Sequence, residues 1–240
     1  MTKRMAAMQP YFFPYLGYWQ LIAAVDTFVL FDEAQYIKKG WINRNRILKY
    51  GGGWQYIRAP VSHQPINTSI RNVLIVPNED WRSKILSQLG HYKSIAPYFA
   101  ETMELAKACL RIDSEHIGAF NTGVIRMICE ALCIRSEIIV SSEYGFDYTA
   151  VAETSDWSIA LARQLGATEF INPAYGIFLQ DIEKLRANGI SLSALHPPEH
   201  IYAQAGAPFE PALSIIDVLM FNGMSETRKL ISASTITRCD

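Results

Sequence analysis

Ten residues near the N-terminus, Gln9-Pro10-Tyr11-Phe12-Phe13-Pro14-Tyr15-Leu16-Gly17-Tyr18, concentrate groups that can meet a ligand. Pro10 and Pro14 restrict the backbone to a turn, and Gly17 allows close backbone approach where a helix begins. Amides at such a helix start can meet a phosphate or a carboxylate. Gln9, Tyr11, Tyr15 and Tyr18 are the candidate substrate contacts, whereas Phe12 and Phe13 serve equally well as core anchors.

A second segment, Asp32 to Ile47, mixes acids, bases and amides. Asp32 and Glu33 follow the apolar run TFVLF, so they stand at a strand's carboxyl end, where a carboxylate can hold a ligand amine or act as general base. Gln35, Trp41, Asn43, Arg44 and Arg46 suit recognition of sugar hydroxyls and phosphates. A regular strand over 41–47 would set Trp41, Asn43 and Asn45 on one face and Ile42, Arg44 and Arg46 on the other. The plainer alternative is a solvated edge strand with protective charges. Lys38, Lys39, Arg44, Arg46 and Lys49 form one basic cluster, fit for a nucleotide-sugar diphosphate or the acceptor stem of an RNA. The chain's net charge of -1 favours the smaller ligand.

Further along, Ser141, Ser142, Asn172 and Gly176 mark strand ends, as ligand contacts or as ordinary turn residues. Asp217 is a lone acid within LSIIDVLMF and needs an arginine or helix-cap partner unless it faces the cleft. The five histidines have no HExxH spacing, and Pro197-Pro198 breaks the interval between His196 and His200; no metal site is expected. Cys109, Cys129, Cys133 and Cys239 lack disulfide or zinc spacing, so Cys129 and Cys133, inside ICEALCI, are expected to be buried. P-loop and GxSxG motifs are absent.

The elements that must position these groups follow from apolar pattern. Strands are expected at Met5–Pro10, Thr27–Phe31, Glu137–Ser141, Glu169–Asn172 and Ile190–Leu195, with helices at Tyr18–Val25, Glu153–Leu165, Ile182–Asn188, Ser214–Phe221 and Glu226–Ile231. The βαβ rhythm predicts an α/β fold with a doubly wound, largely parallel sheet, carrying a β-hairpin insert over 36–76 that turns at Tyr50–Gly53. A helical insert over 78–134 begins beside Asn78, Glu79 and Asp80, and all of 1–240 is expected to form one domain. Such a sheet binds ligands at its carboxyl edge, so Gln9, Tyr15, Tyr18, Asp32, Asn43 and Arg44 are expected to share one pocket.

The runs MQPYFFPYLGYWQLI, DTFVLFDEAQYIKKGWINRNRI, LGATEFINPAYG and FEPALSIIDVLMFNG, in that order, resemble the WbqC-like family. The resemblance implies a place in bacterial O-antigen or related sugar-polymer synthesis, where a glycine-transferase role has been proposed for one member. Tyr15-Leu16-Gly17-Tyr18 also stands where nucleotidyl-transferring α/β domains carry HxGH, with phenols in place of both imidazoles.

The expected function is transfer of an aminoacyl group such as glycyl, or amide formation, onto an amine such as that of an amino sugar, with Asp32 or Glu33 acting on the acceptor. No permanently bound cofactor is expected. A free carboxylate needs activation, so the donor would be an ATP-derived adenylate or an activated ester such as aminoacyl-tRNA; the acceptor would be a nucleotide-linked amino sugar. The alternative is a non-catalytic ligand-binding subunit of a glycan assembly complex. Half the chain is hydrophobic and 19% charged, as in a globular protein, and no apolar run reaches the ~20 residues of a membrane span. Without a signal-like start, a cytoplasmic location without membrane insertion is expected.

Overall fold

A computed structural model describes residues 2–77, 80–198, 202–205 and 208–239. Its strands are β1 (Arg4–Met8), β2 (Thr27–Leu30), β3 (Arg44–Leu48), β4 (Trp54–Arg58), β5 (Glu137–Val140), β6 (Glu169–Pro173), β7 (Ser191–His196) and β8 (Thr235–Arg238). Its helices are α1 (Leu16–Ala23), α2 (Trp81–Leu89), α3 (Phe99–Leu110), α4 (Ile117–Ala131), α5 (Ser141–Tyr144), α6 (Thr154–Leu165), α7 (Ile182–Ala187) and α8 (Ile215–Ser232). A 3-10 segment, Ala174–Leu179, follows β6.

The sheet runs in the order β5-β2-β1-β6-β7-β8, parallel throughout except for β8. The chain winds outward from β1 through β2 to β5, then returns to the opposite side of β1 for β6 and β7. The winding therefore reverses between β1 and β6, the place where an open α/β sheet leaves a crevice at its carboxyl edge. All of β2 is buried, because helices cover both faces. Alternation assigns Ala6, Phe28 and Leu30 to one apolar layer, and Met5 and Val29 to the other. The first layer meets α1, α3, α4 and α8; the second meets Leu161 and Ala162 of α6 and Leu185 of α7.

Strands β3 and β4 form a separate antiparallel hairpin, in register Arg44↔Arg58 through Leu48↔Trp54. Ile47 and Ile57 from it, with Trp81 and Phe120 from the helical insert, join the same apolar layer as Phe12 and Leu30. Both inserts are thus built onto one face of the parallel sheet.

Several expectations are corrected. Ser141 opens α5 instead of ending a strand. Strand β8 follows the last helix and pairs antiparallel with β7, a strand not foreseen. The two closing helices are one element, α8, bent at Gly223 (φ 64°, ψ -178°). A side chain there would have its Cβ 2.6 Å from the Tyr98 ring, so glycine is required both by conformation and by space. Trp41 lies outside β3 and beside Arg46, not on the buried face with Asn45. Cys133 is exposed, whereas Cys109 and Cys129 are buried. The α2 cap is Asp80, whose carboxylate accepts from the Ser83 amide at 3.2 Å; Asn78 and Glu79 lie outside the described residues, as does His200.

Candidate functional site

The segments after β1 and β6 meet across the switch point through two phenols. Tyr15 and Tyr175 place their hydroxyls 3.0 Å apart. Tyr15 is positioned from its own turn: the Trp19 indole donates to the Pro14 carbonyl at 3.0 Å, and the Tyr18 amide donates to the Tyr15 carbonyl at 3.1 Å. Gly17 leaves room for the ring, since a Cβ there would sit 2.6 Å from Tyr15 Cε2. Burial, reinforced by Tyr175, pushes the Tyr15 phenol well above the ordinary range, so it stays a hydrogen-bond donor at neutral pH. Tyr11 is raised for the same two reasons. Tyr175 is 63% exposed. Beside Tyr15 opens a largely apolar cavity of about 390 Å³, bounded by Leu16, Gly17, Pro197, Tyr202 and Val218.

The acids after β2 have different environments. Asp32 is 5% exposed, and both its carboxylate oxygens are engaged by the start of α5. Oδ1 accepts from Ser141 Oγ at 3.0 Å and from the Ser142 amide at 3.1 Å; Oδ2 accepts from Ser142 Oγ at 2.7 Å. Glu33 is half-buried, and its Oε2 accepts from the Tyr148 hydroxyl at 2.8 Å. Its Oε1 has no hydrogen bond from the described residues. Tyr148 packs against Phe31 and Trp157, with ring centroids 6.2 and 4.8 Å away. Burial first, and then the bond to Glu33, raise the Tyr148 phenol and keep it a donor. Asp32 is thus held at both oxygens, whereas Glu33 is held at one.

The remaining expected contacts divide. Gln9 is half-buried and its side chain makes no hydrogen bond among the described residues, whereas its carbonyl accepts from Tyr18 at 2.9 Å. Tyr18 is buried and holds the turn. Asn172 donates to the Gly176 carbonyl at 2.9 Å, closing the loop that carries Tyr175. Gln35 is exposed, and its backbone bridges to Ser69. Asn43 and Arg44 do not line the cavity beside Tyr15, a correction to the single expected pocket. Asn43 accepts from Tyr36 and donates to the Ala59 carbonyl, and together with Arg44 it lines a separate basic cavity. Arg46 lies between Trp41 and Trp54, 5.6 and 5.2 Å from their ring centres. The five-member basic cluster is therefore split.

Asp217 has neither an arginine nor a capping role. Fully buried, it accepts from Tyr92 and Tyr202 hydroxyls, each at 2.5 Å, and from Gln204 Nε2 at 3.1 Å. Burial raises its carboxyl, and these donors oppose the shift. Sequence reasoning missed Tyr148, Tyr175 and Tyr202 as partners; the only signal for Tyr175 was its place inside INPAYG. No three His, Cys, Asp or Glu side chains gather as a cation site among the described residues, and no helix there is long and apolar enough to cross a membrane.

The model of the WbqC-like protein family matches residues 9–229. The chain belongs to the WbqC-like family. It is similar to the "Uncharacterized protein Rv1507c" of Mycobacterium tuberculosis, with 31% identity over 227 residues, covering 92% of this chain and 94% of that protein. No solved structure matches it.

The four WbqC-like runs, distant in sequence, are bonded to one another. Asn45 donates to the carbonyls of Phe12 and Phe13 at 3.0 and 2.8 Å. Ser214 donates its hydroxyl to the Phe13 carbonyl at 2.8 Å and its amide to the Arg46 carbonyl at 2.8 Å. The Tyr15–Tyr175 contact joins the first run to the third. Much of the family's sequence signature thus builds the turn that holds Tyr15.

Proposed function

We propose that this WbqC-like protein transfers an aminoacyl group, glycyl being the simplest, to the amine of an amino sugar in bacterial glycoconjugate synthesis. The observation that carries the reading is the division of labour between two adjacent acids. Asp32 is saturated by three donors, whereas Glu33 is half-buried, held at one oxygen by Tyr148 and open at the other.

An amine attacking an acyl carbon forms a C–N bond, breaks the C–O bond to the leaving group and releases a proton. Glu33 accepts that proton from the approaching amine. Phenols that remain protonated, Tyr11 and Tyr15, donate to sugar hydroxyls or to the carbonyl oxygen as it gains charge. The donor is an acyl adenylate made with ATP or an aminoacyl ester such as aminoacyl-tRNA, because a free carboxylate does not acylate an amine unaided.

The test incubates the full chain with nucleotide-linked amino sugars and either ATP plus amino acid or aminoacyl-tRNA, and follows the acceptor by mass spectrometry. Acceptor heavier by one aminoacyl residue is expected. Saturable acceptor binding with no product under any donor would replace the reading with that of a ligand-binding subunit.

A further inference from the structure

Beyond the switch point, the cavity between the β3–β4 hairpin and α2 has an unusual wall. It measures about 430 Å³ and is lined by Lys38, Lys39, Arg44, Arg58 and Lys84, with no aspartate or glutamate among its lining residues. None of these five cations belongs to an ion pair among the described residues. The chain as a whole is nearly neutral, at -1, so the concentration is local and not a reflection of composition. Like charges gathered on one concave wall repel, and an anion removes that cost.

The wall is also preorganised. Arg44 Nε donates to the Gly40 carbonyl at 3.3 Å, one Nη2 proton goes to the Lys39 carbonyl, and the guanidinium lies 4.3 Å from the centre of the Tyr56 ring. Three of its five N–H groups are left for a ligand. Gln88 of α2 donates to the Tyr56 carbonyl at 3.0 Å and to Gln55 Oε1 at 3.1 Å, which ties the helix to the hairpin. A planar fork held in place beside four lysine and arginine side chains matches two linked phosphates better than one.

We infer that this cavity is a binding site for the diphosphate of a nucleotide-sized ligand. Tyr36, on its wall, is three residues from Glu33, so the two backbones lie no more than ~11 Å apart. One molecule can then be held by its diphosphate in the basic cavity while its sugar amine reaches Glu33. This last link rests on the acyl-transfer reading; the anion site itself does not.

The test is calorimetric titration of the full chain with inorganic pyrophosphate, orthophosphate, UDP and deacylated tRNA. Pyrophosphate and UDP should bind with one site per chain, more tightly than orthophosphate, and more weakly as salt rises. The double variant Arg58→Ala/Lys84→Ala, at two exposed positions, should lose roughly tenfold or more in affinity for both. Lys38→Ala/Lys39→Ala should do likewise, which guards against misfolding of the first pair. Glu33→Gln should bind pyrophosphate as the native chain does, separating this site from the catalytic reading. Absence of saturable binding, unchanged affinity in both double variants, equal affinity for orthophosphate, or binding of tRNA alone would each overturn the inference, the last in favour of an RNA surface.

Discussion

Replacing Asp32 with alanine strands donors at the start of α5. Ser141 Oγ and the Ser142 amide lose the acceptor they share, Oδ1, at 3.0 and 3.1 Å, and Ser142 Oγ loses its 2.7 Å bond to Oδ2. Ser141 is fully buried, so water cannot take the carboxylate's place there; Ser142 is half-buried and recovers one bond from solvent. A buried donor left unmade costs about 1–3 kcal/mol, so two stranded donors set the loss for Asp32→Ala at about 2–6 kcal/mol. Asp32→Asn keeps one acceptor oxygen, and the serine hydroxyls can turn to accept from its amide, which reduces the loss to about 1–2 kcal/mol. Glu33→Gln, at a half-buried position with one protein hydrogen bond, should stay within about 1 kcal/mol of the native chain. Urea unfolding followed by tryptophan fluorescence measures all three by linear extrapolation. A cycle with Ser141→Ala should show a coupling of about 1 kcal/mol or more. An Asp32→Ala variant that loses less than about 1 kcal/mol, or shows no coupling, would refute the view of Asp32 as the bonded tie between the end of β2 and the start of α5.

Other outcomes follow from single environments. Asp217→Ala leaves Tyr92, Tyr202 and Gln204 without their acceptor, and urea unfolding should show a loss of about 3–5 kcal/mol. Because burial raises the Asp217 carboxyl above its ordinary 3.8, its contribution to stability is present at low pH and lost as pH rises through the folded-state titration; Asp217→Asn should therefore gain relative to the native chain as pH rises above 3.8 and through that titration. Asp156 behaves oppositely: hydrogen bonds from Lys184 and from the Ala152 and Glu153 amides hold it at about 2, so its contribution is present above 3.8 and lost as pH falls towards about 2. A carboxyl-carbon NMR titration of Asp156 centred near its ordinary 3.8 would contradict that cap. Thiol labelling of the native chain should modify Cys133 first and spare Cys109 and Cys129, whose thiols burial pushes up to about 12; equal labelling rates would contradict the packing of α3 and α4.

The parallel sheet was legible because its strands are short apolar runs bounded by turns and spaced by helical patterns, as in TFVLF and EFIN. Strand β8 was hidden because TITR is mostly exposed and lies at the edge, where an apolar signal is not needed. The bend in α8 rests on Gly223 and the ring of Tyr98, 125 residues upstream, a contact no local pattern announces. The same limit explains the site. Asp32 and Glu33 stood out by position, but their different roles are set by Ser141, Ser142 and Tyr148, more than a hundred residues away. Asn43 read as a ligand amide, yet it spends a donor, as Asn45 does, on backbone carbonyls that position the hairpin. The basic cluster was read from neighbours in sequence; folding keeps Lys38, Lys39 and Arg44, adds Arg58 and Lys84, and diverts Arg46 to the tryptophans.

The most direct measurement is the single-turnover rate of aminoacyl transfer to an amino-sugar acceptor by the native chain and by Glu33→Gln, at saturating acceptor. General-base assistance contributes about 10²- to 10⁴-fold, so the variant should be slower by that factor while binding acceptor with unchanged affinity. Equal rates in the two proteins would contradict the assignment of Glu33 as the group that takes the amine proton.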